Sequence, residues 1–475
     1  MLKKPAARSS RTFNVANRLP VEYRDSGSWS TSPGGLVSAM QPALHHLDAV
    51  WVGWSGAAAP AGPHESRPAP PDDATNLELI EVAMTRAEVI AYYEGYCNSA
   101  LWPLYHDAIV APVFRDDDYH AYCAINLRFA QCVAARAPRD ACVWVHDYHL
   151  QLVPRLLRVL RPDLRIGFFL HVPFPSWEHF STLPRGDDLL EGLLGSDLVG
   201  FQTAQSVERF MEAVHHLPNV RRQGGCLEVS DGDARHSVTV GAFPIGPPAQ
   251  LYDKASTTRV IRDAAASIRA ECDEPELLIL GVDRLDYTKG IARRIKAVGA
   301  VLKSPEFRHR RIRCIQLATP SRTALSTYQA LRRTVEDTLR TVNAELAELG
   351  LAPIQYIYEQ RATDEIMALY VAADVMLVTS LADGMNLVCK EYVASRPNND
   401  GRLVLSKNTG AAAQLTDAWL VDPEDTTDIA RGLGDALRAS ATEATHRMQA
   451  LRQAVFDYDA THWADSFLAA LHTTR

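Results

Sequence analysis

Short apolar runs alternate with longer amphipathic stretches along almost the whole chain, and this alternation limits the folds that the chain can adopt. Amphipathic segments such as residues 326–349 carry apolar side chains at helical spacing. Alternating strands and helices predict an α/β fold with doubly wound parallel sheets, in which ligands bind beyond the carboxyl ends of the strands. The apolar runs that predict strands are residues 142–145, 165–170, 197–201, 277–282, 313–318, 375–379 and 402–406.

The chain has 475 residues, a length that favours two or three domains. The segment FPIGPP at residues 243–248 separates two series of strands and helices. We therefore predict two Rossmann-like domains, at residues 1–246 and 247–455, which face each other across a cleft. Residues 456–475 are predicted to form a C-terminal helix that packs back on the first domain. Residues 57–76 are rich in proline and alanine and predict a mobile surface loop.

Composition excludes several classes of protein. The formal net charge of −8 argues against a general nucleic-acid-binding protein. No apolar run reaches the roughly 18–20 residues that a membrane span needs. The basic start of the chain lacks the apolar core of a secretory signal, which favours a cytoplasmic protein. The eight cysteines are scattered without a CxxC pair, so we expect buried free thiols and neither disulfides nor a zinc site.

The sequence GVDRLDYTKG at residues 281–290 places charged side chains directly after a predicted strand. Arg284 and Lys289 lie on a loop that Gly290 closes. A planar guanidinium and a compact ammonium together suit an anion with several oxygens, such as a diphosphate. Taken alone, the loop favours solvated, salt-bridged side chains over an anion site. The chain contains neither a GxGxxG nor a GxxxxGK[ST] sequence, which argues against a dinucleotide site or a phosphate-binding loop.

A second motif, LADGMNLVCKEY at residues 381–392, also follows a predicted strand. Asp383 begins a turn, and helical propensity starts at Asn386. Backbone N–H groups at a helix start can bind an anion at the strand ends. Glu391 lies about a turn further on, where a carboxylate can accept hydrogen bonds from ribose hydroxyls. The alternative is a capped turn in which Glu391 is solvated.

Polar residues also end strands in the first half of the chain. VWVHDYHL at residues 143–150 places His146, Asp147 and His149 at a strand end, and His171 ends the next predicted strand. Such side chains face a ligand site when several neighbouring strands end in this way. A lone histidine at a strand end is otherwise a structural group.

The N-terminal region adds a cation, a glycine pair and three aromatic side chains. Arg18 ends the first predicted strand, and Gly35 belongs to a Gly-Gly pair that permits close approach of the backbone to a ligand. Trp54, Tyr93 and Trp102 are core residues by default, and Arg18 alone is a surface cation.

Together these motifs resemble the trehalose-6-phosphate synthase family, which comprises retaining glycosyltransferases of family 20 with the two-domain GT-B fold. The match runs in order from NRLP at residues 17–20 to THWADSF at residues 461–467. The long matching segments are GFFLHVPFP (167–175), DRLDYTKG (283–290), ATPSR (318–322) and DGMNLVCKEYVA (383–394).

The resemblance implies a role for each matching residue. Arg284 and Lys289 hold the diphosphate of the donor, and Asp383 and His171 bind hydroxyls of the transferred glucose. The implied catalytic residues are Arg284, Lys289, Asp147, His171 and Asp383. The implied donor-binding residues are Gly35, Arg284, Lys289, Asp383, Asn386, Leu387, Val388 and Glu391. The implied acceptor-binding residues are Arg18, Trp54, Tyr93, Trp102, Asp147 and Arg322.

The implied reaction moves glucose from a nucleotide-diphosphate glucose to glucose 6-phosphate and gives α,α-trehalose 6-phosphate. Protein cations and helix-end amides stabilise the charge on the departing diphosphate. The acceptor attacks from the face of the leaving group, so the configuration is retained, and Asp147 orients the acceptor. Neither a cofactor nor a metal ion is expected, because the predicted site lacks an acidic pair of the DxD type.

The chain departs from the family where the nucleobase would bind. The family usually has a His-Phe pair that packs around uracil, and Gln360 and Arg361 stand at these positions. Arginine donates well to O6 and N7 of guanine, and Glu359 can accept from N1 and N2. This departure favours GDP-glucose over UDP-glucose as the donor.

Two alternatives accompany this interpretation. One is a pseudo-glycosyltransferase that couples cyclitols, and the other is a catalytically silent relative that senses a sugar phosphate or binds a partner protein. Both would be expected to lose Arg284, Lys289 or the DGMNLV segment, which are intact. The predicted partners are small molecules, without nucleic acid or membrane, and a homo-oligomer remains compatible with the sequence.

Overall fold

A computed structural model describes residues 11–23, 28–32, 37, 39–40, 44, 48–59, 77–231 and 234–474. The chain divides into two compact units. Unit 1 comprises Met1–Pro244 and Thr461–Arg475, and unit 2 comprises Ile245–Ala460. Most of the predicted surface loop, from residue 60 to residue 76, lies outside the described residues.

Unit 1 contains a nine-stranded sheet in the order β5-β4-β1-β6-β7-β8-β11-β10-β9 and a two-stranded sheet, β2-β3. The strands from β5 to β11 in this order are parallel, and the two pairs formed by β11, β10 and β9 are antiparallel. The strands are β1 (Thr12–Arg18), β2 (Val21–Tyr23), β3 (Trp29–Thr31), β4 (Ala49–Trp54), β5 (Glu78–Glu81), β6 (Cys142–His146), β7 (Arg165–Phe169), β8 (Leu198–Phe201), β9 (Val220–Gln223), β10 (Cys226–Asp231) and β11 (Ala234–Ala242).

Helices connect the parallel strands of unit 1. They are α1 (Arg86–Glu88), α2 (Trp102–Tyr105), α3 (Asp116–Arg136), α4 (Val153–Leu160), α5 (Trp177–Phe180), α6 (Gly186–Leu193) and α7 (Ala204–Val214). A π-helix, Val89–Leu101, joins α1 to α2, and a short 3₁₀-helix, Tyr148–Leu150, follows β6.

Unit 2 contains a six-stranded parallel sheet in the order β14-β13-β12-β15-β16-β17. Its strands are β12 (Leu277–Arg284), β13 (Ile312–Thr319), β14 (Gln355–Ile357), β15 (Val375–Val378), β16 (Arg402–Ser406) and β17 (Trp419–Val421). Its helices are α8 (Ala249–Ser256), α9 (Arg259–Glu271), α10 (Ile291–Lys303), α11 (Ser326–Glu348), α12 (Thr363–Ala372), α13 (Leu387–Ala394), α14 (Thr426–Arg438) and α15 (Ala441–Asp457), with 3₁₀-helices at Tyr287–Lys289 and Gly410–Ala413.

The central strands are buried because helices cover parallel sheets on both faces. Every residue of β6 is buried, and in β12 only the last residue, Arg284, is exposed. The predicted α/β doubly wound fold is confirmed. The cysteines at all eight positions are free thiols; five are buried as expected, whereas Cys123, Cys132 and Cys226 are partly exposed.

After unit 2 the chain returns to unit 1 as helix α16 (Ala460–Thr473). The ring of Phe467 stacks on Trp144 of β6 with centroids 4.7 Å apart. A Cβ added to Gly167 or Gly200 would lie 2.8 Å or 2.7 Å from the same ring. Glycines in β7 and β8 therefore allow this helix to lie close to the sheet.

Replacing Phe467 by alanine should destabilise unit 1 by about 3–5 kcal/mol, because the ring is fully buried and leaves a cavity when it is removed. Chemical unfolding followed by tryptophan fluorescence measures this loss. Val159→Ala, at a position 74% exposed in α4, is the matched control and should change the free energy of unfolding by about 0.5 kcal/mol or less. Equal effects of the two substitutions would contradict the packing role of Phe467.

Candidate functional site

The residues predicted to bind ligands follow strands on either side of the point where the strand order reverses. In unit 1 the order reverses between β1 and β6, and in unit 2 it reverses between β12 and β15. In open parallel sheets, ligands bind outside the carboxyl ends of the strands at such a point. Arg18 ends β1 and Asp147 follows β6, while Arg284 ends β12 and Asp383 follows β15. Each unit therefore presents one candidate site at the carboxyl ends of its central strands.

In unit 1, Arg18 lies in an aromatic cluster. Its guanidinium carbon is 4.3 Å from the ring centroid of Trp54 and 5.4 Å from that of Tyr93. The two rings are 5.6 Å apart in an edge-to-face arrangement, and Tyr93 stacks on His149 at 6.0 Å. Gly56 has φ of +89°, and a Cβ there would lie 1.9 Å from Nη1 of Arg18. The aromatic rings and the lack of a side chain at Gly56 together fix the position of the Arg18 guanidinium.

Trp102, the remaining aromatic residue of the predicted acceptor set, is buried beside this cluster. Its ring packs against Tyr148 with centroids 5.7 Å apart. Tyr148 in turn packs on His149 at 3.9 Å, so Trp102 contacts the Arg18 cluster through Tyr148.

Asp147 adopts a strained backbone conformation with φ of +72° and ψ of 167°. Its N–H donates to the carbonyl of Phe169, and its Oδ1 accepts from the N–H of His171 at 3.2 Å. Its Oδ2 is 3.8 Å from Nδ1 of His149. Such backbone strain persists when surrounding contacts determine it, and it is common at functional sites.

The two histidines that end β6 and follow β7 belong to one buried hydrogen-bonded chain. Nε2 of His146 is 2.7 Å from Oδ1 of Asn14, and Nδ1 is 3.1 Å from Nε2 of His171. Nδ1 of His171 is 3.5 Å from Nε2 of Gln202. Burial lowers the pKa of His171 to about 3 and that of His146 well below its ordinary value. His171 is therefore a neutral hydrogen-bonding group at neutral pH, which suits a sugar hydroxyl.

In unit 2, the two predicted binding loops contact each other. Nζ of Lys289 donates to Oδ2 of Asp383 at 2.5 Å, and both side chains are mostly buried. The same oxygen accepts from Nδ2 of Asn386 at 3.0 Å. Gly290 has φ of +64°, and a Cβ there would lie 2.4 Å from the carbonyl oxygen of Thr379. The loop after β12 therefore approaches the end of β15 only because residue 290 is glycine.

Helix α13 starts at this place. Asn386 is its N-cap, with φ of +80°, and its Oδ1 accepts from the N–H of Cys389 at 3.0 Å. The N–H groups of Leu387 and Val388 belong to the first turn, where amides have no partner within the helix. The predicted anion-binding amides thus lie beside Asp383, to which the Asn386 side chain also donates.

Glu391, predicted to bind ribose, is buried in α13. Its Oε2 accepts a hydrogen bond from the hydroxyl of Tyr370 at 2.9 Å. Burial raises the pKa of its carboxyl, and hydrogen bonds from Tyr370 and Tyr252 oppose that rise.

The neighbouring Lys390 is also buried, which the sequence did not indicate. Its Nζ donates to the carbonyl of Ile245 at 2.7 Å and to Oε1 of Gln414 at 2.5 Å. Burial lowers the pKa of Lys390 to about 7. A neutral amine has two hydrogens, and the structure provides two acceptors for them.

Arg322 and Asp286 form a buried ion pair. Nη1 of Arg322 donates to Oδ2 of Asp286 at 2.7 Å, and the hydroxyl of Tyr328 donates to the same oxygen at 2.9 Å. The sequence alone assigns no function to Asp286, and the simplest expectation is that it holds Arg284 or Lys289 of its own loop in position. No signal in the sequence indicated its contact with Arg322, because these residues lie 36 positions apart in different loops.

The residues predicted to contact the nucleobase lie between β14 and α12. The guanidinium of Arg361 donates to Oε1 of Glu365 at 2.7 Å through Nη1, and its Nη2 pairs with Glu359. Gln360 is exposed on the same loop. Gly35, predicted to lie near the donor phosphate, is outside the described residues.

Within the described part of the chain, no group of three or more His, Cys, Asp and Glu side chains is arranged to hold a metal ion. None of the described helices has both the length and the apolar character that crossing a membrane requires.

Comparison with known proteins identifies similar chains over nearly the full length. The sequence model of the family described as Glycosyltransferase family 20 matches residues 10–473. The trehalose-6-phosphate synthase of Mycobacterium avium (strain 104) is 45% identical over 466 residues, which cover 96% of this chain and 94% of that protein.

Two solved structures are similar in fold and in sequence. An α,α-trehalose-phosphate synthase (UDP-forming) from Burkholderia xenovorans in complex with glucose 6-phosphate has a TM-score of 0.87 and 30% identity, covering 97% of this chain and 100% of that chain. A structure from E. coli described as trehalose-6-phosphate bound with UDP-2-fluoro glucose has a TM-score of 0.87 and 31% identity, covering 98% and 99%.

The buried Lys390 should make stability depend on pH. Between about pH 7 and its ordinary pKa of 10.5, the unfolded chain holds the lysine proton and the folded chain does not. The unfolded state therefore binds more protons, and the free energy of unfolding should rise with pH by about 1.4 kcal/mol per pH unit in this range. Lys390→Met should abolish this contribution.

The measurement is the difference in unfolding free energy between the native protein and the Met variant across this range. Lys296→Met, at an exposed position of α10, is the control for the loss of one lysine. A difference that stays constant with pH would show that Lys390 is charged in the folded protein.

Proposed function

Since the chain belongs to glycosyltransferase family 20, we propose that it transfers glucose from a nucleotide-diphosphate glucose to glucose 6-phosphate and gives α,α-trehalose 6-phosphate. The observation that carries the proposal is the joined pair of loops in unit 2. Lys289, Asp383 and the first turn of α13 meet at the carboxyl ends of β12 and β15. This combination of an ammonium, a carboxylate and helix-end amides suits a sugar diphosphate.

Unit 2 supplies the groups that we assign to the donor. Arg284, exposed at the end of β12, and Lys289 bind the diphosphate, and the amides of Leu387 and Val388 add partial positive charge. Asp383 pairs with Lys289 and binds hydroxyls of the transferred glucose. Buried Glu391, which also accepts from Tyr370, is assigned to the ribose hydroxyls.

Unit 1 supplies groups that we assign to the two sugars. The Arg18 cluster, with Tyr93 and Trp102, binds the acceptor phosphate, because a cation held among aromatic rings is fixed in position before the anion arrives. Trp54 and Asp147 orient the acceptor sugar. Neutral His171 binds a hydroxyl of the transferred glucose.

In the proposed reaction the bond between C1 of glucose and the diphosphate oxygen breaks while C1 bonds to the acceptor hydroxyl. The acceptor approaches from the face of the leaving group, so the configuration at C1 is retained. The acceptor proton passes to the departing phosphate oxygen, and Asp147 orients the acceptor without acting as a conventional base. Arg284, Lys289 and the amides of α13 stabilise the charge that grows on the leaving group, without a metal ion.

We further propose GDP-glucose as the preferred donor. Arg361 supplies guanidinium donors and Glu359 supplies carboxylate acceptors side by side, which matches the acceptors O6 and N7 and the donors N1 and N2 of guanine. UDP-glucose is the second candidate, because one similar structure is described as a UDP-forming synthase and the other as bound with UDP-2-fluoro glucose.

The test incubates the purified protein with glucose 6-phosphate and either GDP-glucose or UDP-glucose, in the presence and absence of EDTA. We expect α,α-trehalose 6-phosphate as the product, an unchanged rate with EDTA, and a larger kcat/KM for GDP-glucose. Mass spectrometry identifies the disaccharide phosphate, and NMR coupling constants determine its anomeric configuration.

Arg361→Ala should reduce the preference for GDP-glucose by about tenfold or more, since a bidentate contact to guanine contributes about 1–3 kcal/mol of discrimination. A strong preference of the native protein for UDP-glucose would refute the guanine assignment alone. No product with any donor would instead support a catalytically silent relative, and transfer to a cyclitol would support the pseudo-glycosyltransferase.

Arg284→Ala should lower kcat by about 10²-fold or more, because its contact with the leaving group strengthens as charge develops. Steady-state kinetics at saturating donor separate this effect from weaker binding. Lys296→Ala, which removes an exposed cation in the same unit, is the control. The role of Arg284 is excluded when both variants keep the native kcat.

A further inference from the structure

The ion pair of Asp286 and Arg322 joins the loop after β12 to the loop after β13. The Asp286 carboxylate uses both oxygens: Oδ1 accepts from the N–H of Thr288 at 3.1 Å, and Oδ2 accepts from Arg322 and Tyr328. The Tyr328 hydroxyl accepts in turn from Nη1 of Arg322 at 2.6 Å. The three side chains therefore form a closed triangle of hydrogen bonds.

The triangle is almost fully removed from solvent. The side chain of Asp286 is 0% exposed and that of Arg322 is 6% exposed. A buried guanidinium needs a counterion, because an isolated charge is strongly disfavoured away from water. Although burial acts to raise the pKa of Asp286, the charges of Arg322, Arg284 and Lys289 hold it below its ordinary value. The aspartate is thus ionised and able to act as that counterion.

The backbone of Arg322 is strained, with φ of +47°. A residue other than glycine rarely adopts this conformation, and it persists where surrounding contacts determine it. The contacts with Asp286 and Tyr328 are such contacts. They hold Arg322 in one orientation at the end of β13.

We propose that Asp286 is a positioning residue that orients Arg322 to bind the phosphate of the acceptor. The inference rests on the proposed function, together with the expectation from the family resemblance that Arg322 binds the acceptor phosphate. It gives a role to Asp286, which the donor chemistry leaves unused. Asp286 also accepts a hydrogen bond from the N–H of Thr288, which is next to Lys289. The same aspartate would therefore help to position Lys289 for the donor and Arg322 for the acceptor.

The competing explanation is that Asp286 orients the diphosphate-binding Arg284 or Lys289 of its own loop. The two explanations predict opposite selectivity. Loss of Asp286 should weaken the binding of glucose 6-phosphate if it acts through Arg322, and the binding of the nucleotide if it acts through Arg284 or Lys289.

Asp286→Asn is the variant that separates them. An amide has one oxygen and one NH₂, so it cannot accept from both Thr288 and Arg322, and it removes the counterion. Isothermal titration calorimetry with glucose 6-phosphate should show binding about 10- to 100-fold weaker, the equivalent of one charge-assisted hydrogen bond. Binding of GDP and UDP should change by less than about threefold.

A double-mutant cycle tests whether the effect passes through Arg322. In an Arg322→Ala background, Asp286→Asn should have little further effect on glucose 6-phosphate binding, because the group that it positions is gone. Tyr328→Phe keeps the ion pair and should weaken binding by about 2- to 10-fold. The preference for glucose 6-phosphate over glucose as the acceptor should also fall, and it should fall more in Asp286→Asn than in Tyr328→Phe.

Asp374→Asn is the matched control, since Asp374 pairs with Arg269 at 2.8 Å at the start of β15 and not at its carboxyl end. It should lower the thermal unfolding temperature without changing either affinity. If Asp286→Asn does not fold, Tyr328→Phe and its cycle with Arg322→Ala provide the same comparison.

The binding measurements do not require turnover, so this inference and the proposed function fail separately. Native protein that binds glucose 6-phosphate but forms no disaccharide would refute the function and still test the role of Asp286. Additive effects in the cycle, or a selective loss of nucleotide binding, would overturn the inference. Native protein that does not bind glucose 6-phosphate would overturn both.

Discussion

The parallel register of the two large sheets is the constraint on which the rest of the structure depends. Parallel strands all end at one edge of a sheet, so residues that are distant in sequence meet there. In each unit the chain leaves the two strands at the reversal point towards opposite sides, which keeps that edge accessible. Arg18 and Asp147 mark this edge in unit 1, and Arg284 and Asp383 mark it in unit 2.

The apolar strands can end in charged residues because the buried charges beneath the binding loops form ion pairs and hydrogen bonds. Arg294 of α10 lies under the loop after β12, where it pairs with Asp283 and donates through Nε to Thr379 at 3.0 Å. The buried histidines of unit 1 are instead neutral. Burial thus leaves either a paired ion or an uncharged group, as the cost of desolvation requires. Arg284, the last residue of β12, is by contrast exposed.

Much of the fold could be predicted because its signals are local. Apolar runs identified β12, β15 and the other strands named from the sequence, and helical periodicity identified α11 to within one residue. The family resemblance is confirmed, since long motifs are specific even when each residue alone is not. The antiparallel strands β9 and β10 were not predicted, because their residues lack a sustained apolar pattern.

The partners within the candidate site could not be predicted in the same way. A sequence shows that Asp286 is acidic and that Arg322 is basic, but their pairing depends on how β12 and β13 align. The burial of Lys390 likewise depends on the chain at Ile245, which is 145 positions away. The π-helix Val89–Leu101 carries Tyr93. Its sequence has no distinct spacing of apolar residues from which a π-helix could be predicted. The roles assigned to individual residues remain predictions that substitution and kinetics test.

The position of helix α16 at the end of the sequence affects how unit 1 can fold during translation. Unit 2 is one continuous segment, whereas unit 1 includes a helix that is synthesised after all of unit 2. Until that helix emerges, the face of β6, β7 and β8 that receives Phe467 and Trp463 has no cover. The nascent chain therefore carries an exposed aromatic surface while more than two hundred residues are translated, and this interval is when a chaperone would be most needed.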